Sequence, residues 1–165
     1  GIGPALEARD VLRVLSNDPE MPINLKEKSL MLTGALLDMI LDKPEGHGYI
    51  LAKTQLESGA AYKKFVSICN AQGRFSEPLT ADHKKTVIAD KSGVFSFLQN
   101  RNLARIAKLA GAPGEKTAGV DFLIHLNQKI EKGQPLFEIH AKSEGELNYA
   151  YNYYLDNKSE TIRID

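Results

Sequence analysis

The spacing of apolar residues changes near Pro78, and this change restricts the fold more than any other feature of the chain. Before Pro78 the apolar residues recur at helical spacing, in four segments separated by proline, glycine and asparagine. After Pro78, short runs of β-branched and aromatic residues alternate with glycine-containing turns. We therefore predict an α+β fold in which a helical first half precedes a mixed second half.

Four helices are predicted before Pro78. In chain order they begin at Gly3-Pro4, after Asn24, at His47 and at Ala60. Proline is favoured in the first turn of a helix because its missing N–H would be unpaired there anyway. Asn24 is the predicted N-cap of the second helix, with Glu27 three residues further on. From residue 30 to residue 41 this helix is apolar nearly all round, as buried helices are.

Five strands and two helices are predicted after Pro78. The strands cover residues 86–89, 93–98, 120–126, 135–140 and 161–164, and the helices cover residues 101–110 and 143–157. Ser143 is the expected N-cap of the last helix. The composition of residues 111–119 predicts a loop between the helix at residues 101–110 and the next strand.

The balance of charges restricts the partners of the chain. Its 165 residues include 21 basic and 21 acidic side chains, so general binding to nucleic acid or to an anionic membrane is not expected. No apolar run reaches the roughly 18 residues of a membrane span. The single Cys69 excludes an intrachain disulfide and predicts a reducing, cytoplasmic location. Because the first residue is Gly1 and not methionine, we expect the chain to be a piece of a longer protein.

The segment from Gly111 to Thr117 ends in Gly-Glu-Lys-Thr and is compared with a phosphate-binding loop. That motif needs glycine directly before the lysine, so that backbone N–H groups can surround the phosphate. Here Glu115 takes that position and would repel phosphate, and no buried strand leads directly into the segment. We interpret it as a plain loop.

No other residue pattern defines a catalytic centre. The four histidines, His47, His83, His125 and His140, lack metal-ligand spacing, and Cys69 is distant from all of them in the sequence. His125 and His140 fall on predicted strands, where they either face each other or act as hydrogen-bonded structural residues. No Gly-x-Ser-x-Gly elbow and no distinctive pair of carboxylates occurs. We predict no catalytic residue and no phosphate-binding residue in this chain.

Two clusters of side chains allow a binding or a structural interpretation. One predicted helix face carries Arg101, Arg105 and Lys108, which form either an anion site or a solvated surface. Helical spacing in the last helix pairs Tyr149 with Tyr153 and Tyr151 with Tyr154. These pairs are either base-stacking surfaces or core and rim contacts. The sequence favours the structural interpretation of both clusters.

Two stretches of the sequence carry a resemblance to a known family. The first is Gly1-Ile2-Gly3-Pro4-Ala5-Leu6-Glu7-Ala8-Arg9-Asp10-Val11-Leu12. The second runs from Ala118-Gly119-Val120-Asp121-Phe122 through Gly133-Gln134-Pro135-Leu136 to Ile139-His140-Ala141-Lys142. They resemble the glycine-containing turn into an Ala-Leu-Glu helix and the C-terminal domain of the pyrimidine-nucleoside phosphorylases. The Ala-Arg-Asp sequence after Glu7 is most similar to the archaeal-type branch, which includes AMP phosphorylase and also occurs in bacteria.

The resemblance implies a fold and a reaction. Residues 1–80 would be the helical C-terminal part of a central phosphate-binding domain, and residues 81–165 an α/β-hammerhead domain of barrel-sandwich shape. The family cleaves a nucleoside with inorganic phosphate to give free base and sugar 1-phosphate, and its catalytic motifs do not occur here. The resemblance thus implies a homo-oligomeric pentosyltransferase as parent, with nucleoside or nucleotide and phosphate as substrates and no cofactor, and an inactive fragment. Thymidine, uridine and nucleoside monophosphates stay open as substrates.

One candidate site residue follows from the resemblance. Some bacterial members hold a monovalent cation through carbonyls of the glycine-containing turn and an acidic side chain of the following helix, and Asp10 aligns with that acid. Alternatively, Asp10 is an acidic residue placed near a helix N-terminus, where the helix dipole favours negative charge.

A function of a different class is also implied. Hammerhead domains are related to lipoyl and biotinyl carriers, and the sequence up to Ala141-Lys142 is similar to the carrier pattern before its modified lysine. The hairpin motif that presents that lysine is missing from this sequence. The alternative to the enzyme is therefore a non-catalytic assembly or carrier module, in which Lys142 would be modified.

Overall fold

The computed structural model describes residues 1–165, which form two compact units. The helical unit comprises residues 9–77, and the mixed unit comprises residues 1–8 together with residues 78–165. Residues 1–8 thus pack with the second half of the chain. The assignment of residues 1–80 and 81–165 to two phosphorylase domains stays a prediction.

The chain contains seven helices and six strands. The helices are α1 (Pro4–Leu15), α2 (Ile23–Leu41), α3 (His47–Glu57), α4 (Ala60–Gln72), α5 (Asn100–Leu109), α6 (Glu144–Asp156) and α7 (Lys158–Thr161). The strands are β1 (His83–Ile88), β2 (Gly93–Leu98), β3 (Gly119–Phe122), β4 (Lys129–Ile130), β5 (Pro135–Ala141) and β6 (Ile162–Ile164). The predicted α+β class, with a helical half before a mixed half, is confirmed.

The helical unit is organised around the contact of α2 with α3. Gly34 and Gly48 lie where the two helices cross, and a Cβ atom on Gly34 would come within 2.7 Å of the Tyr49 backbone. The Asp38 carboxylate accepts hydrogen bonds from the N–H groups of Gly46 and Gly48 and so holds the connecting turn. The small core of the unit is formed by Val14, Leu30, Ala52 and Leu56.

Two expectations for α2 are wrong. The helix begins at Ile23 with Pro22 at the N-cap position, because the Pro22 carbonyl already accepts hydrogen bonds from the N–H groups of Leu25 and Lys26. Asn24 therefore lies inside the first turn and is not the cap. The helix is also not buried as its composition predicts: only Leu30 and Gly34 are buried, because α3 covers one side of α2 alone.

The mixed unit contains two three-stranded antiparallel sheets. One has the order β1-β5-β3 and the other the order β4-β2-β6. The predicted strands flanking the turn at residues 90–93 are confirmed, but β1 and β2 belong to different sheets. Strand β3 ends at Phe122, so residues 123–126 do not extend it.

An aromatic cluster fills the centre of the mixed unit. The Phe137 ring meets Tyr154 edge-on at 5.1 Å between centroids, and Phe122 lies 5.8 Å from Phe95. Helix α6, which carries Tyr154, is capped as predicted: the Ser143 hydroxyl accepts from the Glu146 N–H and donates to the Glu146 carboxylate. This reciprocal pairing stabilises the start of the helix.

Two adjacent tyrosines of α6 provide a matched pair of substitutions. The Tyr154 hydroxyl is buried without a hydrogen-bond partner, and burial raises the pKa of Tyr154 to about 12. The Tyr153 hydroxyl donates to Asn102 Oδ1 at 3.3 Å. Removing an unpaired buried hydroxyl relieves a desolvation penalty, so Tyr154→Phe should leave stability unchanged or raise it by about 1 kcal/mol. Tyr153→Phe should lower it by about 1 kcal/mol.

Urea unfolding of the two variants checks this pair. The aromatic packing is kept in both, so the difference between them isolates the hydroxyl groups. A larger loss of stability in Tyr154→Phe than in Tyr153→Phe would show that the Tyr154 hydroxyl is paired in solution.

Candidate functional site: the glycine turn and its partner loop

The glycine turn, residues Gly1 to Pro4, is bound to the first residues of β3. The N–H of Ile2 donates to the Val120 carbonyl at 2.8 Å, and the N–H of Val120 donates to the Ile2 carbonyl at 2.8 Å. The N–H of Ala5 donates to the Lys116 carbonyl at 3.0 Å. Three main-chain hydrogen bonds therefore join the turn and the adjacent Ala5 to the residues just before and within β3.

Two glycines permit this close approach. Gly3 has φ 128°, a conformation that L side chains rarely adopt, and a Cβ atom on it would overlap the Ala118 carbonyl oxygen. A Cβ atom on Gly119 would overlap the Ile2 carbonyl oxygen and lie 2.9 Å from Leu6 Cδ1. Because backbone meets backbone at both positions, neither contact can be relieved by turning a side chain.

Glu7 closes the glycine turn from the helix that follows it. Its carboxylate accepts a hydrogen bond from the Gly3 N–H at 3.1 Å, and it lies in the first turn of α1. A carboxylate at this end of a helix is also favoured by the helix dipole. Glu7, and not Asp10, is therefore the acidic residue that supports the N-terminus of α1.

Asp10 lies one turn further along α1 and is almost buried. Its Oδ1 atom accepts hydrogen bonds from the Arg9 side chain, from Nη2 at 2.9 Å and from Nε at 3.2 Å. The structure places no group of three or more His, Cys, Asp or Glu side chains where they could hold a metal ion. A monovalent-cation role for Asp10 stays a prediction from the family resemblance.

The loop that faces the glycine turn, residues 111–118, forms a charge pair with Lys142, which directly follows β5. Glu115 Oε2 lies 2.9 Å from Lys142 Nζ, and Glu115 Oε1 accepts a hydrogen bond from the Thr117 hydroxyl at 2.9 Å. The bond from Lys142, and then those from Thr117, lower the pKa of Glu115 to about 2, and the same pair raises the pKa of Lys142. Glu115, the residue that departs from the phosphate-loop pattern, is thus an ionised side chain that binds Lys142 and Thr117.

This charge pair predicts a pH dependence. The pKa of Glu115 is lower in the folded state than its ordinary value of 4.5, so its ionised form stabilises the fold above about pH 4.5. That stabilisation is lost as the pH falls from 4.5 towards 2. Between pH 5 and pH 3, Glu115→Gln should therefore lose less stability than the unsubstituted chain.

Denaturant midpoints at pH 5 and pH 3 measure this difference, with Glu131→Gln as a control at an exposed carboxylate on another loop. The control should keep the pH dependence of the unsubstituted chain. An unchanged pH dependence in Glu115→Gln would contradict the assignment.

The remaining candidate residues are dispersed over the mixed and helical units. His140 is buried in β5 with Nε2 3.0 Å from Glu138 Oε2, whereas His125 is exposed in the loop after β3. The predicted strand position of His125 is thus wrong, because β3 ends three residues earlier. His47 and His83 are exposed at the first residues of α3 and β1.

The basic cluster on α5 and the tyrosine cluster on α6 each allowed a binding or a structural interpretation, and some of their side chains make structural contacts. The Arg105 guanidinium lies over the Tyr153 ring at 5.4 Å, while Arg101 and Lys108 are exposed on the same helix. Tyr154 is in the core, and its ring lies 6.4 Å from that of Tyr151. Core and rim contacts therefore account for the predicted pair of Tyr151 with Tyr154.

Lys142 does not lie in a carrier-like hairpin. It follows the last residue of β5 and precedes Ser143, the N-cap of α6. Its side chain is mostly exposed, but its ammonium group is paired with Glu115. The local structure is the strand-to-helix connection predicted between residues 140 and 143.

Sequence reasoning missed the contacts that hold this site together. The partners Ile2 and Val120, and likewise Glu115 and Lys142, are far apart in the chain, so no local spacing marks them. The only sequence signal for the contact of the glycine turn with β3 is that both segments contain glycine, which is typical of places where two backbones approach closely.

The mixed α+β fold is consistent with the resemblance to a phosphorylase C-terminal domain. The sequence signature described as Pyrimidine nucleoside phosphorylase C-terminal domain matches residues 94–159, which run from β2 into α7. Residues 94–159 therefore carry a pyrimidine nucleoside phosphorylase C-terminal domain.

Curated relatives match nearly the whole chain. It is 50% identical over 165 residues to a protein of Hahella chejuensis named "Putative thymidine phosphorylase", covering 100% of this chain and 32% of the relative. Proteins of the same name from Legionella pneumophila (strain Corby) and Ralstonia nicotianae are 49% and 46% identical over 162 residues. These matches cover 98% of this chain and 31% and 32% of the relatives. The chain spans about a third of the length of these relatives.

No helix in the structure has the length and apolar content needed to cross a membrane.

Proposed function

We propose that this chain is the C-terminal part of a thymidine phosphorylase-like enzyme, which transfers the sugar of a nucleoside from the base to inorganic phosphate. The observation that carries the proposal is the 50% identity, over all 165 residues, to a relative named "Putative thymidine phosphorylase". The match of the C-terminal domain signature to residues 94–159 supports the same assignment.

We expect the catalytic groups for this reaction to lie in the part of the parent that this chain does not contain. Phosphorolysis needs cationic and hydroxyl donors around phosphate and groups that stabilise negative charge on the departing base. Near the glycine turn, the cations Arg9 and Lys142 are already paired with Asp10 and Glu115. These residues stabilise the fold, and we propose that the isolated chain has no phosphorolytic activity.

The role of the chain in the parent is to support the catalytic domain. The resemblance places residues 1–8 in the central phosphate-binding domain, whereas they pack within the mixed unit. The hydrogen bonds between Ile2 and Val120 would therefore fasten the end of a central-domain segment to the C-terminal domain. In this proposal the parent is a homo-oligomer in the cytoplasm, and Asp10 contributes to a monovalent-cation site.

Phosphate-dependent release of base tests the assignment. The parent and the 165-residue chain are assayed with thymidine, uridine and adenosine monophosphate, with and without inorganic phosphate. We expect turnover by the parent that requires phosphate, and none by the chain alone. A parent inactive on all three substrates would refute the enzyme assignment, and turnover by the chain alone would refute the location of the catalytic groups.

A dependence of the parent on monovalent cations is tested in the same assay. Activity is compared in potassium and in tetramethylammonium buffers, for the parent and for its Asp10→Asn variant. The proposal expects activation by potassium that the variant loses. Equal activation in both proteins would remove Asp10 from the site.

A further inference from the structure

One side of α2 exposes a continuous set of large apolar side chains. Met31, Leu32, Leu36, Met39 and Ile40 are each between 55% and 80% exposed. We call this set, with the exposed Ala35 among them, the outer face of α2. Single exposed apolar residues are common, but a continuous apolar patch of this kind marks a surface that binds something.

The helix has two separate apolar faces. At about 100° per residue, the outer face covers roughly half of the helix circumference. Leu30, Gly34 and Leu37 lie on the opposite side, which packs against α3 and the small core of the helical unit. Thr33 and Asp38 fall at the two boundaries between these faces. A helix that is apolar on both sides is typical of the interior of a large domain, where both sides are covered.

The composition of the outer face is typical of a surface that is permanently buried, and not of an interface that forms and dissociates. It contains no charged and no hydrogen-bonding side chain among its six residues. Reversible protein interfaces are only about 56–58% apolar and carry polar groups throughout, whereas permanent contacts resemble a domain core. A partner that leaves and returns would expose this face to water each time.

We propose that the outer face of α2 is the docking surface for the preceding two-thirds of the parent polypeptide. The curated relatives match this chain along its full length but are about three times as long, so most of their polypeptide lies outside it. A segment of the same polypeptide needs no separate association, and so it can cover an all-apolar face permanently. This inference rests on the proposed function only in taking the parent to be a thymidine phosphorylase-like enzyme.

Two methionines make this surface measurable without any substitution. Hydrogen peroxide oxidises exposed methionine faster than buried methionine, and mass spectrometry resolves each site. Met31 and Met39 are exposed on the outer face, whereas Met21 packs against the core of the helical unit itself. Met21 is therefore the internal control, because it already packs against the helical core in the 165-residue chain.

The experiment compares the oxidation rates of the three methionines in the full-length parent and in the 165-residue chain. We expect Met31 and Met39 to react at least tenfold more slowly in the parent, and Met21 to react at similar rates in both. The comparison is repeated across a hundredfold range of parent concentration. Protection that is independent of concentration supports the proposal.

Two results would overturn it. If Met39 reacts equally fast in the parent and in the chain, the preceding polypeptide does not cover this face. If the protection in the parent is lost on dilution as dimers dissociate, the occupant is a second copy. The phosphorolysis assay is independent of this readout: an inactive parent with protected methionines removes the proposed function and leaves the docking surface in place.

Substitution at the surface gives a second readout. Met39→Lys should lower the Tm of the parent by at least 5 °C while changing the Tm of the 165-residue chain by less than about 2 °C, because residue 39 is buried only in the parent. Leu79→Lys, at an exposed residue of the mixed unit, is the matched control and should have little effect on either protein. Equal effects of Met39→Lys on the two proteins would contradict the proposal.

Discussion

Gly3→Ala is expected to lower the free energy of unfolding of the mixed unit by about 3 kcal/mol. The added methyl group would overlap the Ala118 carbonyl oxygen and lie 3.0 Å from the Gly119 Cα atom. It would also force an L residue to adopt φ 128°. Since both neighbouring groups are backbone, the glycine turn must move away from β3, and the hydrogen bonds between Ile2 and Val120 should lengthen or break.

Thermal unfolding measures this effect, with a decrease in Tm of roughly 6–12 °C expected for a chain of this size. Gly145→Ala is the matched control, because a Cβ atom there meets no atom within 4 Å and the residue lies in the first turn of α6. The control should be neutral or slightly stabilising. If Gly3→Ala unfolds at the same temperature as Gly145→Ala, the close approach of the glycine turn to Ala118 is not present in solution.

Gly48→Ala should have a comparable effect on the helical unit. A Cβ atom at this position would overlap the Gly34 carbonyl oxygen and lie 2.8 Å from Leu37 Cβ. Helices α2 and α3 would have to separate to accommodate it, and their contact organises the unit. We expect a loss of about 2–4 kcal/mol, although alanine has the higher helix propensity and would stabilise an isolated helix.

Far-UV circular dichroism during urea unfolding measures the loss, because the helical unit contributes much of the helix content. The matched control is Lys53→Ala, on the same helix, where the substitution removes only an exposed pair with Glu57 at 3.8 Å. Such surface pairs contribute about 0.5 kcal/mol or less. Stability in Gly48→Ala equal to that of the Lys53→Ala control would show that the two helices do not cross at this glycine.

Most elements of the chain were predictable because their signals are local, whereas the short elements β4 and α7 were not predicted. The spacing of apolar residues in α1, the glycine after α4 and the Ser143 capping position of α6 each depend on a few consecutive residues. The N-terminus of α2 was not predictable, because the Asn24 pattern competed with a proline two residues earlier. The rules of helix capping favour asparagine, but the backbone of Pro22 is already placed to accept the first hydrogen bonds.

The contacts that join the glycine turn to β3 and Glu115 to Lys142 could not be predicted, because they link distant parts of the chain. Glu115 departs from the phosphate-loop motif, but nothing near it in the sequence indicates Lys142 as its partner. Asp10 was identified by alignment with a family position, and its contact with the adjacent Arg9 does not follow from that alignment. The resemblance to the pyrimidine-nucleoside phosphorylases could be recognised because two short glycine-containing stretches are similar in sequence to that family.

The sequence by itself determined the α+β class, the order of the main helices and the resemblance to a phosphorylase C-terminal domain, since these depend on local propensity and on local motifs. Only the tertiary structure decided that the glycine turn binds β3, that β1 and β2 lie in different sheets, and that α2 has one covered and one exposed face. Composition made α2 apolar on both sides, but which side is covered depends on what packs against it. The exposed side is therefore a property of the fold, and it leads to the docking surface proposed above.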